Sequence, residues 1–95
     1  MPKFHPYTHQ NGRTGYIFQC PGCGGAHYVL TSGPDRPRWK VTGVEKDKPT
    51  VRPSILARAG RNVCHSFVDD GRIRFLGDCT HAFAGDTVEI PDFEE

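Results

Sequence analysis

Residues 62–76 read Asn62-Val63-Cys64-His65-Ser66-Phe67-Val68-Asp69-Asp70-Gly71-Arg72-Ile73-Arg74-Phe75-Leu76, and their reading decides the fold. Asp70-Gly71 between two alternating runs signals a β-hairpin, because a type I′ turn needs φ > 0 at both central positions. With these as the loop residues, Val68 faces Ile73, Ser66 faces Phe75 and Cys64 faces Gly77. Side chains alternate along a strand. Cys64, Ser66, Val68, Ile73 and Phe75 therefore share one face, and His65, Phe67, Arg74 and Leu76 share the other. Cys64 and His65 are adjacent, yet this register assigns them to different sites. Cys79, just beyond the second strand, can curl back toward Cys64.

Upstream, Cys20-Pro21-Gly22-Cys23-Gly24 lies between two strand-like runs, Thr14 to Gln19 and Ala26 to Thr31. Strand, Cys-x-x-Cys-Gly turn, strand is the layout of a zinc knuckle, which aims two sulfurs about 4 Å apart at one tetrahedral metal. A redox Cys-x-x-Cys would place its first cysteine at a helix N-terminus, and no helix is expected here. Cys20 and Cys23 thus read as half of a zinc site, with Cys64 and Cys79 as the other half. His27, His65 and His81 are alternatives to either of the latter. A closed site of four thiolates has no open position and is structural.

These elements predict a small all-β or β-rich α+β fold of antiparallel hairpins around a zinc knuckle. An N-terminal arm occupies residues 1–13, a single domain residues 14–91 and an acidic tail residues 92–95. Ser32 to Pro37 reads as a turn and Arg38 to Val44 as a third strand. Glu45 to Pro53 reads as polar, extended chain. Ser54 to Ala59 fits a short strand or one helical turn, Thr80 to Ala84 one helical turn, and Thr87 to Ile90 a last strand.

Composition sets limits on function. With 95 residues, of which 11 are glycine and 8 proline, the chain has room for one marginal core and many turns. A bound zinc would supply folding free energy on the order of 10 kcal/mol. The formal net charge of +1 is no nucleic-acid footprint, despite a mildly basic middle. The N-terminus has no apolar run, so no signal peptide or membrane span is expected. Four cysteines without export signals favour metal over disulfides and place the protein in a reducing cytosol.

With the cysteines assigned to metal, Ser54, His65, His81 and Asp78 remain for chemistry. Serine becomes a nucleophile when a base takes its proton, histidine is the usual base, and a third group orients it. Ser54 would attack a carbonyl, His65 would act as base, and His81 or Asp78 would orient it. Each residue also has a plainer reading: a turn serine after proline, a strand histidine, and a histidine beside the metal. His5 and His9 read as a solvated or edge-strand segment. Trp39, Phe67, Phe75 and Phe83 read as core.

Several runs together carry a family resemblance: Cys20-Pro-Gly-Cys-Gly-Gly-Ala-His27, Trp39, Lys48-Pro-Thr-Val-Arg-Pro-Ser-Ile-Leu56, Cys64-His-Ser-Phe-Val68 and Asp78-Cys-Thr-His81. In this order they resemble a small domain family of phage and prophage genomes, often mislabelled as ammonia monooxygenase. They are distantly similar to serine peptidases of bacterial operons that encode ubiquitin-like proteins and their conjugating enzymes. The resemblance implies a zinc-stabilised serine peptidase in the bacterial host cytosol, processing a ubiquitin-like protein or a similar flexible tail. Ser54 matches the nucleophile of the relatives' Pro-Ser-Ile motif. The relatives place their histidine as Cys-x-Ser-His, a slot that holds Phe67 here, so His65 or His81 takes the role of base. The alternative is a non-catalytic, zinc-ribbon-like module that binds a host or phage protein, with nucleic acid the weaker choice of partner. A metallohydrolase built on His5, His9 or His81 ranks below both.

Overall fold

The computed structural model describes residues 2–33 and 38–93. The turn expected over 32–37 and the end of the acidic tail lie largely outside these residues. Eight strands run β1 (His5–Thr8), β2 (Thr14–Gln19), β3 (Ala26–Leu30), β4 (Lys40–Thr42), β5 (Thr50–Ala59), β6 (Asn62–Asp69), β7 (Arg72–Phe75) and β8 (Thr87–Glu89). They form two antiparallel meanders, a three-stranded sheet β1-β2-β3 and a five-stranded sheet β4-β5-β6-β7-β8. The fold is β, as expected.

The hairpin register is the expected one: Val68 pairs with Ile73 and Ser66 with Phe75. Asp70 and Gly71 both have positive φ, 51° and 83°, as a type I′ turn requires. Val68, Ile73, Phe75, Cys64 and Ser66 are all buried. They meet Phe4, Phe18 and Val29 of the small sheet in one core with Val51, Ile55 and Ile90. The core thus fills the space between the sheets, and the other face of the large sheet points to solvent.

Four readings of local structure are settled or changed. The N-terminal arm carries an edge strand: His5 to Thr8 pair with Ile17 to Thr14, and Phe4 stacks on Phe18 with centroids 4.8 Å apart. Pro6 has no N–H to donate, which an edge strand tolerates. Ser54 to Ala59 is strand, joined to β6 by a tight Gly60-Arg61 turn that pairs Ala59 with Asn62; Gly60 supplies its positive φ of 61°. The segment from Thr80 to Ala84 is a run of hydrogen-bonded turns, among them Ala84 N–H to the His81 carbonyl. The strand read over Arg38 to Val44 shortens to Lys40–Thr42 and passes into a 3-10 turn at Val44–Lys46.

A test of the arm follows from the burial of Phe4, which is 1% exposed. Phe4→Ala should lower unfolding free energy by about 3–5 kcal/mol, read from urea denaturation. A loose arm would leave the midpoint unchanged.

Candidate active site and metal centre

The outward face of the large sheet carries Ser54. Val51 pairs with Val68 and Ile55 with Ser66, so Arg52, Pro53 and Ser54 stand against Phe67 alone in a bulge of β5. A bulge is where an inner strand can hold a proline, and it re-aims the side chains around it. Ser54 follows the cis Arg52-Pro53 bond and is half-buried. The Trp39 indole N–H donates to the Ser54 carbonyl at 3.2 Å, which ties the bulge to the chain entering β4. Trp39 was expected only as core; its nearness to Ser54 follows from strand order, which no motif encodes.

Ser54 Oγ lies 3.2 Å from His65 Nε2. His65 Nδ1 lies 3.0 Å from Asp78 Oδ2 and 3.3 Å from Oδ1. An Nδ1–H donated to this carboxylate leaves the Nε2 lone pair facing the serine, the tautomer a general base needs. The three side chains thus form one hydrogen-bonded chain at the surface, with His65 25% and Asp78 56% exposed.

Leu76, Cys79 and Thr80 hold the loop that carries Asp78 against β6. The Leu76 N–H donates to the His65 carbonyl at 2.9 Å, and the Thr80 N–H to the Val63 carbonyl at 3.0 Å. Between them the Cys79 sulfur accepts from the His65 N–H at 3.2 Å and donates to the His65 carbonyl at 3.1 Å. Cys79 is buried and grips the main chain of the residue whose ring Asp78 meets.

On the opposite face of β6, Cys64 joins Cys20, Cys23 and His27, with donor atoms all within 4.8 Å of one another. The Cys20 and Cys64 sulfurs are 3.8 Å apart, and Cys23 Sγ lies 3.3 Å from His27 Nε2. Tetrahedral coordination by sulfur and imidazole calls for edges of about 3.5–3.8 Å, so this quartet fits a metal ion. His27 stands in this quartet where Cys79 was expected; the Cys79 sulfur lies against the main chain of His65 and falls in a second close group with Cys64 and His81. Burial, followed by the neighbouring thiols, pushes the Cys64 thiol well above its ordinary range; burial raises Cys20 as well. Burial and the neighbouring His81 lower His27, which favours the neutral imidazole that ligates metal.

His81, one of the two groups expected to orient His65, sits on this sulfur side. Its ring packs edge-on against Phe75 at 4.4 Å between centroids. It also covers Gly22 of the knuckle, where an added Cβ would lie 2.5 Å from His81 Cε1. With Cys64 and Cys79 it forms a second close group of donors. His5 stacks on Phe93, and His9 Nδ1 lies 3.0 Å from the Tyr7 hydroxyl.

Residues 2–76 match the family model described as the bacterial ubiquitination-like system serine protease, BubE. The chain belongs to this family. The matched stretch contains Ser54, His65 and the whole metal-fitting quartet, and it ends short of Asp78, Cys79 and His81. No curated protein and no solved structure matches. No helix among the described residues is long and apolar enough to cross a membrane.

The quartet yields a test that separates His27 from Cys79. His27→Ala should cost the purified protein most of its bound metal by elemental analysis, whereas Cys79→Ala should keep it. Metal content should also fall as the pH is lowered, because protons reclaim thiols that burial already holds high.

Proposed function

We propose that this BubE family member is a serine peptidase whose nucleophile, base and orienting acid are Ser54, His65 and Asp78, and that it cuts the flexible tail of a ubiquitin-like protein. The observation that carries the reading is the hydrogen-bonded chain from Ser54 Oγ through His65 to Asp78. In the reaction, His65 Nε2 takes the Ser54 proton as Oγ bonds to the peptide carbonyl carbon. The imidazolium, held by Asp78, then returns that proton to the leaving amine as the C–N bond breaks. Water, deprotonated by the same nitrogen, hydrolyses the acyl-serine. Backbone amides around Ser54 must carry the oxyanion. A triad lying on an open sheet face suits an extended, flexible segment, which can lie across it without a deep cleft.

The metal in this reading is zinc on Cys20, Cys23, His27 and Cys64. Its role is structural, since the four protein ligands close the site. The protein works in the bacterial cytosol, where thiols stay reduced.

A serine-reactive fluorophosphonate should label the protein, with labelling lost in Ser54→Ala and His65→Ala and kept in Lys46→Ala. Labelling that persists in Ser54→Ala would overturn the assignment and leave the binding-module reading. Asp78→Asn should reduce the rate on a ubiquitin-like substrate by on the order of 10³–10⁴-fold while leaving the fold intact. Cys79→Ala should lower the same rate by at least about tenfold with metal content unchanged, because a loosened loop misplaces Asp78.

A further inference from the structure

The outward face around Ser54 has a charge pattern that its proposed chemistry does not use. Lys40 pairs across with Arg52, and Phe67 with Arg74. Directly opposed residues of antiparallel strands point to the same side, so Lys40, Arg52, Phe67 and Arg74 form a row across β4, β5, β6 and β7. The Arg52 and Arg74 guanidinium carbons lie 6.0 Å and 5.2 Å from the centroid of the one Phe67 ring. Arg52 is two residues from Ser54 and Phe67 two from His65, so the row runs about 7 Å from the reacting atoms. On the other side of Ser54, Leu56 pairs with His65 and Arg58 with Val63; Leu56 is 46% exposed.

Three acids on this face are already engaged. Asp69 pairs with Arg52, Asp78 with His65, and Glu89 with Lys3 and Arg72. Among the described residues, Lys40, Arg58 and Arg74 have no such carboxylate partner. A chain with a formal net charge of only +1 therefore concentrates unpaired cations on both sides of one serine.

Arg52 is held by Asp69 and by the Val51 and Val68 carbonyls; we infer that Lys40 and Arg74 on either side of it dock carboxylates of the substrate, so that the peptide cut at Ser54 carries acidic side chains or a free C-terminal carboxylate within about two residues of the scissile bond. This rests on Ser54 being the nucleophile. Guanidinium groups bind carboxylates by paired N–H donors, and Phe67 holds the two arginine heads in place as a cation-π platform. The same ring, covered by guanidinium, does not present a free face on which a nucleic-acid base would stack, so a peptide is the better fit.

The test uses Trp39, the single tryptophan, whose indole is bonded to the Ser54 carbonyl. Hexapeptides of identical length with Glu, Gln or Lys at alternate positions are titrated into the whole protein while its fluorescence is followed. The Glu peptide should bind at least about tenfold more tightly than the Gln peptide, with the advantage shrinking at high salt. Arg74→Glu should abolish that preference, Arg74→Gln should reduce it about fivefold, and Lys46→Glu should leave it in place. Equal binding of the three peptides, or tighter binding of a single-stranded oligonucleotide, would overturn the inference. Fluorophosphonate labelling of the same samples separates the two claims. Labelling without charge preference rejects the docking row alone. Charge preference without labelling keeps the row as a peptide-binding surface and rejects the peptidase.

Discussion

Adjacent side chains on a β-strand leave on opposite faces, and in this protein that constraint does most of the organising. Strand β6 lies inside the large sheet, so both of its faces are in use. Cys64 turns in toward the knuckle and His65 turns out toward Ser54. The loop after β7 repeats the arrangement in reverse, with Asp78 turned out to His65 and Cys79 turned in. Two neighbouring pairs thus cross the sheet, each giving one residue to the sulfur side and one to the serine side. A shift of β6 by one residue would exchange these roles and destroy both sites together.

This geometry explains how a metal bound at the quartet would matter to the opposite face of the sheet. A domain of this size has little core to spare, and a bulge, a proline and an edge strand weaken its sheets further. Cys20 and Cys23 belong to the small sheet's knuckle, and Cys64 to the large sheet. A cation bound by all three, with His27, would join the two layers by bonds much stronger than side-chain packing. The strand it would fix at Cys64 is the strand that carries His65 one residue later. The Cys79 sulfur lies against the His65 main chain, one residue beyond the Asp78 whose carboxylate meets the His65 ring.

The hairpin and the knuckle were legible in the sequence because each rests on local chemistry. Asp70-Gly71 meets the φ requirement of its turn without help from the rest of the chain, and the Cys-x-x-Cys spacing fits a metal by itself. The remainder depended on distance. His27 and Cys79 are equally good donors on paper, and only packing brings the His27 imidazole up to Cys23 and lays the Cys79 sulfur along the His65 backbone. His81 and Asp78 were likewise even as partners for His65 until the loop from Leu76 to Thr80 was seen to run along β6. The edge strand at residues 5–8 was only one of two readings of the arm, because Pro6 suggests irregular chain, whereas an unpaired strand edge has no need of its missing N–H. Trp39 gave no local sign of reaching the Ser54 carbonyl, since the contact depends on how β4 is laid beside β5.

The displaced histidine follows from the same alternation. The distant peptidases carry theirs two places further along, where Phe67 stands here. Positions 65 and 67 share a face and are about 7 Å apart, so a move between them keeps the imidazole on the serine's side of the sheet. The bulge sets Ser54 nominally opposite 67, with 65 on the diagonal, and an imidazole spans such a diagonal. What decides between the two positions is the third group. Asp78 is fixed beside 65 by Leu76 and Cys79, which both bond to the main chain of residue 65. A histidine at 67 would lie opposite Arg74, with no such carboxylate delivered to it. In the proposed triad the acid would therefore determine which position holds the base, and Phe67 is left to seat the two arginines beside the serine.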